Sequence, residues 1–233
     1  LARFTSTGSL DSAFGVNGVL VYPLGPFEDY GSDIEIQSDG KYVTGGLRMY
    51  GGGYNFALAR LNPNGSTDSS FGINGFIETD FGFNDDDLIS AIYLHGNKIT
   101  AVGSSGYNGD TDPAIARYTA NGLPDSSFGV NGRLTTHVGV GYGHLTSAVI
   151  QPDGKLLTTG YARNPLNDDF ILLRYNVDGT LDNSFNSTGL VTTAFFSSED
   201  QAHNIQLQPD GKAVVAGATF NGTSSDIALA RYY

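Results

Sequence analysis

Cysteine is absent from the 233 residues. That removes disulfide frameworks, thiolate chemistry and cysteine-type metal sites together. Charge is scarce as well, at 15% of residues, against roughly 25% in typical soluble domains. The basic side is the thinner one: 12 Lys and Arg face 24 Asp and Glu, for a formal charge of −12. Nucleic acid and anionic membranes are therefore not expected as partners, because phosphate binding needs clustered Lys and Arg. No run approaches the roughly 18–20 apolar residues of a membrane span, and no signal peptide is expected at the start. Familiar catalytic signatures are missing too, including the G-x-S-x-G elbow, the H-E-x-x-H pair and the P-loop. The four histidines show no ligand spacing.

Glycine, by contrast, is abundant: 32 residues, about twice the usual share. It follows a period. Arg recurs at 3, 60, 117, 174 and 231, a constant step of 57. The same step relates Asp11, Asp68, Asp125 and Asp182, and likewise Phe14, Phe71, Phe128 and Phe185. It also relates Gly46, Gly103, Gly160 and Gly217, and the four lysines 41, 98, 155 and 212 are the only ones in the chain. Within one unit, residues 31–38 and 41–47 flank an Asp39-Gly40 turn, a strong hairpin signal. Residues 55–61 and 76–81 supply a third and a fourth strand, and the hydrophobic period is two throughout. Four antiparallel strands per unit read as a propeller blade. A lone blade cannot bury both faces, so the units must stack.

The segments LARFTSTGSLDSAFGVNG, LARLNPNGSTDSSFGING and IARYTANGLPDSSFGVNG, with QPDGK at 151–155 and 208–212, resemble the bacterial delta-60 repeat family along the whole chain. That resemblance implies an all-β, propeller-like repeat fold in bacterial secreted or surface-exposed proteins, and it carries over no activity and no site residues. The expected architecture is a β-propeller with four blades of four antiparallel strands, residues 1–233 forming one domain. Its blades would span approximately 31–82, 88–139, 145–196, and 202–233 plus 18–25. Residues 1–5 (LARFT) duplicate 229–233 (LARYY). The ring is therefore expected to close by pairing the N-terminal strand with the C-terminal blade, residues 1–5 being displaced. The alternatives are part of a larger propeller or a two-chain ring.

A residue repeated in every unit serves the blade. The Arg and the Asp eight residues later should form a charge-assisted hydrogen bond, the Phe should plug the joint between blades, and the Gly should permit turns or close backbone approach. Arg48, Arg133 and Arg163 stand outside the pattern. Variation concentrates in two connections per unit, which should share one face around the channel mouth, where loops on a rigid scaffold carry specificity. Candidate ligand-binding residues there are Phe27, Tyr30, Tyr50, Tyr54, Phe83, Asn84, Tyr107, Asn108, Tyr142, His144, Tyr161 and Asn164. Aromatic faces beside carboxylates and amides suit sugars. Glu28, Asp29, Asp85, Asp86, Glu199 and Asp200 are candidate ligands for Ca²⁺, which takes six to eight oxygens. Asp110, Asp168, Asp169 and Asp226 lie in or beside the same connections.

The expected function is a non-enzymatic binding or adhesion module of a bacterial secreted or cell-surface protein, recognising a glycan or cell-envelope ligand. A carboxylate-dependent hydrolase or lyase is one alternative, and it would need a carboxylate pair with a raised pKa in a deep pocket. A structural spacer or oligomerisation unit is the other.

Overall fold

The computed structural model describes residues 1–82, 86–107, 110–196 and 198–233, with Tyr107 described by its backbone alone. Its strands form four antiparallel sheets, and the described residues contain no helix. The first sheet holds β1 (Asp29–Ile36), β2 (Tyr42–Tyr50), β3 (Gly53–Leu61) and β4 (Phe76–Thr79) in sequence order. The second holds β5 (Leu88–His95), β6 (Lys98–Tyr107), β7 (Asp110–Thr119) and β8 (Arg133–Thr135). The third holds β9 (Gly143–Ile150), β10 (Leu156–Arg163), β11 (Asp168–Tyr175) and β12 (Leu190–Thr193). The fourth has three strands, β13 (Asp200–Leu207), β14 (Ala213–Phe220) and β15 (Ser225–Tyr232).

The core lies between sheets rather than within one. Phe56, Leu58, Phe71 and Ile77 of the first unit pack on Ile92, Ala101, Ala114 and Ala116 of the second. Val102, Ile115 and Phe128 pack likewise on Leu145, Ile171 and Leu173, and Leu157, Phe170 and Leu172 on Ala202, Ile205 and Val215. Each sheet thus presents its front face to the back face of the next, which is alanine-rich in the second sheet and built of Leu and Ile in the third. Polar rungs cross the same joints: Thr79 to Tyr118 at 2.6 Å, Thr136 to Tyr175 at 2.7 Å and Thr193 to Tyr232 at 2.8 Å.

The repeated residues do what repetition requires of them. Arg60 Nε donates to Asp68 at 2.8 Å, and Arg3, Arg117 and Arg174 hold Asp11, Asp125 and Asp182 in the same way. Lys41, Lys98 and Lys155 add a second cation to Asp68, Asp125 and Asp182. Desolvation of Asp68 and Asp125 is outweighed by hydrogen bonds from Ser and Lys, so both carboxyls sit well below the usual range. Each Arg also covers the Phe eleven residues on, Arg117 lying 4.2 Å from the Phe128 ring centre. Phe71 and Phe128 are fully buried at the joints. The glycines at 46, 103, 160 and 217 answer to a bulge in the first strand of each sheet. A Cβ there would lie 1.9, 1.8, 1.8 and 2.1 Å from the carbonyl oxygens of Tyr30, Leu88, His144 and Gln201.

Ring closure through the N-terminal strand is not what the structure shows. Residues 18–20 pair with residues 1–3 through Arg3 N–H to Gly18 O at 2.9 Å, Leu1 N to Leu20 O at 2.8 Å and an Ala2–Val19 bridge. Residues 1–5 are therefore seated, not displaced, and among the described residues β15 has no fourth strand beside it. The reason is proximity. Both segments offer the same Leu-Ala-Arg, but residues 1–3 reach strand 18–20 through the short connection used inside every other unit, where Arg60 N bonds Gly75 O at 2.9 Å. Joining distant ends would cost more loop-closure entropy for the same bonds.

Candidate functional site

The two variable connections do converge. Asp87 N donates to Tyr54 O at 2.6 Å, Thr111 N to Gly141 O at 3.1 Å and Phe220 N to Glu199 O at 2.9 Å. Two aromatic–acidic clusters result. In the first, Tyr30 and Tyr54 donate their hydroxyls to Glu28 at 3.0 and 3.3 Å, their ring centres 6.2 Å apart. The hydrogen bond to Glu28 raises the Tyr30 phenol above its usual value, and desolvation followed by the same bond raises Tyr54. Asp86 accepts the Tyr54 N–H at 3.2 Å. Phe27 and Tyr50 stand exposed nearby in sequence, Tyr50 with Arg48 against its ring.

The second cluster surrounds a polar cavity of about 400 Å³ lined by Asp110, Tyr142, Tyr161, Arg163, Asp168 and Gln201, among others. Tyr142 and Tyr161 make one wall, with ring centres 5.8 Å apart and hydroxyls 3.5 Å apart. Desolvation, then the contact with Tyr142, raises the Tyr161 phenol. Arg163 Nε donates to Asp168 at 3.0 Å, and its Nη2 lies 3.6 Å from Glu199. Gln201 Nε2 reaches the other Asp168 oxygen at 3.4 Å. Glu199 is raised above its ordinary value by desolvation and then by the neighbouring carboxyl of Asp168, the residue whose backbone N–H donates to it at 3.3 Å. The strand ends set this geometry. β10 ends at Arg163, β11 opens at Asp168 and β13 opens at Asp200, so Tyr161, Arg163, Asp168 and Gln201 come from ladder positions, with Tyr142 and Glu199 one residue before β9 and β13.

Several sequence candidates have other partners. His144 is largely buried, its Nε2 2.8 Å from Ser90 Oγ and its Nδ1 2.8 Å from Ser104 Oγ, and burial pushes it down to about 4. It braces the Tyr161 ring from behind at 5.7 Å. The Asn164 amide closes its own turn with Asn167 and Asp169, both at 2.7 Å. Asp29 and Asp200 each accept the N–H five residues back, from Leu24 and Phe195 at 2.8 Å. In the second unit Asp87 takes this role, accepting Phe81 N–H at 3.0 Å, and burial pushes it up to about 6. The loop there is thus one residue out of step with the constant period. Among the described residues no three His, Asp or Glu side chains converge as a cation would require. Phe83, Asn84, Asp85 and Asn108 lie outside the described residues, as does the Tyr107 side chain. Arg163 and Gln201 were not singled out for binding, and Arg163 carried a signal: it is one of three arginines the repeat does not need. The other two are engaged locally, Arg48 with Glu78 and Arg133 with the Asp80 carbonyl.

The repeating core of each unit, with its Asp-Gly turn and Arg–Asp–Phe assembly, is also what a family model describes. The model named domain of unknown function (DUF5122) beta-propeller matches residues 37–71, 97–128, 151–185 and 208–232, more than half the chain. The chain belongs to the DUF5122 β-propeller family. No curated protein matches this DUF5122 propeller. Among solved structures it is similar to a gluconolactonase from Xanthomonas campestris, with 13% identity over 93% of this chain and 61% of that one, at a TM-score of 0.47. An endo-arabinase from Bacteroides thetaiotaomicron is 13% identical over 85% of the DUF5122 chain and 72% of its own, with a TM-score of 0.43. A β-fructofuranosidase from Bombyx mori is 12% identical over 85% and 47%, with a TM-score of 0.39. The DUF5122 chain therefore spans less than two thirds of the first two solved structures in this comparison, the gluconolactonase and the fructofuranosidase.

Proposed function

We propose that the chain is a non-enzymatic glycan-binding module, serving adhesion in a bacterial secreted or cell-surface protein. The observation that carries this reading is the cavity of about 400 Å³ with a tyrosine wall facing an Arg163–Asp168–Gln201 array. A pyranose ring offers CH faces to Tyr142 and Tyr161 and hydroxyls to charged donors and acceptors, and bonds to charged groups are the stronger kind. The volume suits one or two sugar residues, so a chain terminus rather than a long polymer is the expected epitope.

The carboxylate pair supports binding more than hydrolysis. Glycosidase carboxyls stand about 5–10 Å apart, leaving room for the scissile bond or a water. Here one guanidinium holds both carboxylates, Arg163 lying 3.0 Å from Asp168 and 3.6 Å from Glu199, and the Asp168 N–H donates to Glu199 at 3.3 Å. A glycan array followed by titration calorimetry tests the proposal. Tyr161→Ala is expected to weaken binding of any hit at least about tenfold, roughly the worth of one stacking contact and its area. An array without hits across broad bacterial, host and plant panels, or a hit insensitive to Tyr142→Ala and Tyr161→Ala, would refute it.

A further inference from the structure

The cavity beside the Tyr142–Tyr161 wall is short of positive charge. Asp110 and Asp168 line it, and Arg163 is its one basic residue. Glu199 borders it, 3.6 Å from Arg163. One guanidinium therefore answers three carboxylates. No other side chain makes up the difference, because all 12 Lys and Arg and all four His are among the described residues. The ion pairs they form in this region are Arg163 with Asp168 and Glu199, and His137 with Asp112. None reaches Asp110.

Asp110 is nevertheless set in place. Thr111 N donates to Gly141 O at 3.1 Å. The Asp110 Oδ1 lies 2.7 Å from where a Cβ on Gly141 would stand, and Gly141 has a φ of 87°. Glycine there satisfies the left-handed backbone and leaves room for the carboxylate against the loop that carries Tyr142. An acid without a cation is thus seated beside an aromatic wall.

The surroundings decide which cation suits it. A hard metal ion wants several oxygens at once, and among the described residues no three His, Asp or Glu side chains converge to supply them. An ammonium asks for less: a carboxylate, and an aromatic face within about 6 Å. Tyr142 and Tyr161, their ring centres 5.8 Å apart, provide the faces. A sugar that carries the ammonium also brings CH groups for the same two rings. The formal charge of −12 adds attraction for a cationic ligand at longer range.

Building on the glycan-binding reading above, we infer that the sugar held in this cavity is an amino sugar with its amine free, the ammonium lying between Asp110 and the tyrosine wall and the hydroxyls meeting Arg163 and Gln201. N-acetylation would remove the charge and press a methyl group towards the carboxylate.

Titration calorimetry with glucosamine and galactosamine disaccharides, each as the free amine and as the N-acetyl form, tests the inference. At least one free amine is expected to bind at least about tenfold more tightly than its acetylated partner. Asp110→Asn should cut that ratio to about threefold or less. Asp153→Asn removes the same charge from an exposed turn before the opposite end of β10, and should leave the ratio as it was. Butylamine, which has the charge without the ring, should bind at least about tenfold more weakly than the preferred amino sugar. Acetylated forms that bind as tightly as the free amines, or array hits that are all neutral or acidic, would overturn the inference and leave the glycan reading standing. A ratio indifferent to Asp110→Asn, or lowered equally by Asp153→Asn, would overturn it too, as would butylamine binding as tightly as the sugar. An array without any hit would sink both.

Discussion

Replacing Gly160 by alanine isolates the bulge that lets the first two strands of each sheet meet. The added Cβ would lie 1.8 Å from His144 O, 2.8 Å from His144 C and 2.9 Å from Leu145 Cα. All three are backbone atoms of the adjacent paired strand. Real Cβ contacts essentially never fall below 3.0 Å, so β9 must retreat by about 1.2 Å. Overpacking into side chains costs roughly 1–3 kcal/mol. Here no side chain can rotate away, and the retreat also strains the β9–β10 ladder, so a loss of at least about 3 kcal/mol is expected. Gly31→Ala is the matched control. It lies in the same bulge region of the first sheet, yet its nearest heavy atom is Thr44 Oγ1 at 3.8 Å. Without a clash, alanine reduces unfolded-chain entropy and should stabilise by about 0.4–1 kcal/mol. Urea titrations followed by circular dichroism compare the two. A Gly160→Ala variant within about half a kcal/mol of Gly31→Ala would refute the close-approach account of these glycines.

Acid should expose two opposed titrations. His144, pushed down to about 4, is protonated in the unfolded chain first, so stability is lost as pH falls from about 6.5 to 4. Asp87, pushed up to about 6, is protonated in the folded chain first, so its ionisation penalty is relieved as pH falls through the same range. Thermal melts between pH 7 and 4 should therefore tilt in opposite directions, with Asp87→Asn losing more stability on acidification than the parent and His144→Gln less. The Arg60→Met variant leaves the buried Asp68 with Lys41 as its one remaining cation and is expected to lose roughly 3 kcal/mol in urea titration. A smaller loss than that of an exposed Arg163→Met control would refute a structural role for the repeated pair.

Sequence periodicity made the scaffold legible because each blade needs its parts equally. Arg60, Asp68 and Phe71 could be assigned to one assembly from spacing alone, and Gly103 to a close approach. The same constancy misled at two places. It aligned Asp86 with Asp29, whereas Asp87 holds the loop, because β5 as a whole sits one residue beyond the period, Ile89 rather than Leu88 facing Gly103, and the tight His95–Lys98 turn restores the register. It also offered two identical Leu-Ala-Arg segments for one slot, and nothing in their composition encodes which is nearer. His144 could not be judged from sequence, since its role follows from the serines of β5 and β6 that enclose it. The cavity was half legible: its tyrosines were candidates, but Arg163, Asp168 and Gln201 meet only because three strands end together.

The cavity draws Asp110 from the second sheet, Gln201 from the fourth and the rest of the residues named from the third. A ligand held there is a rivet through three neighbouring units. Its binding energy adds to the force needed to peel one unit from the next, so a loaded molecule should resist stretching where a vacant one yields. In the adhesive role proposed above, attachment would itself harden the anchor.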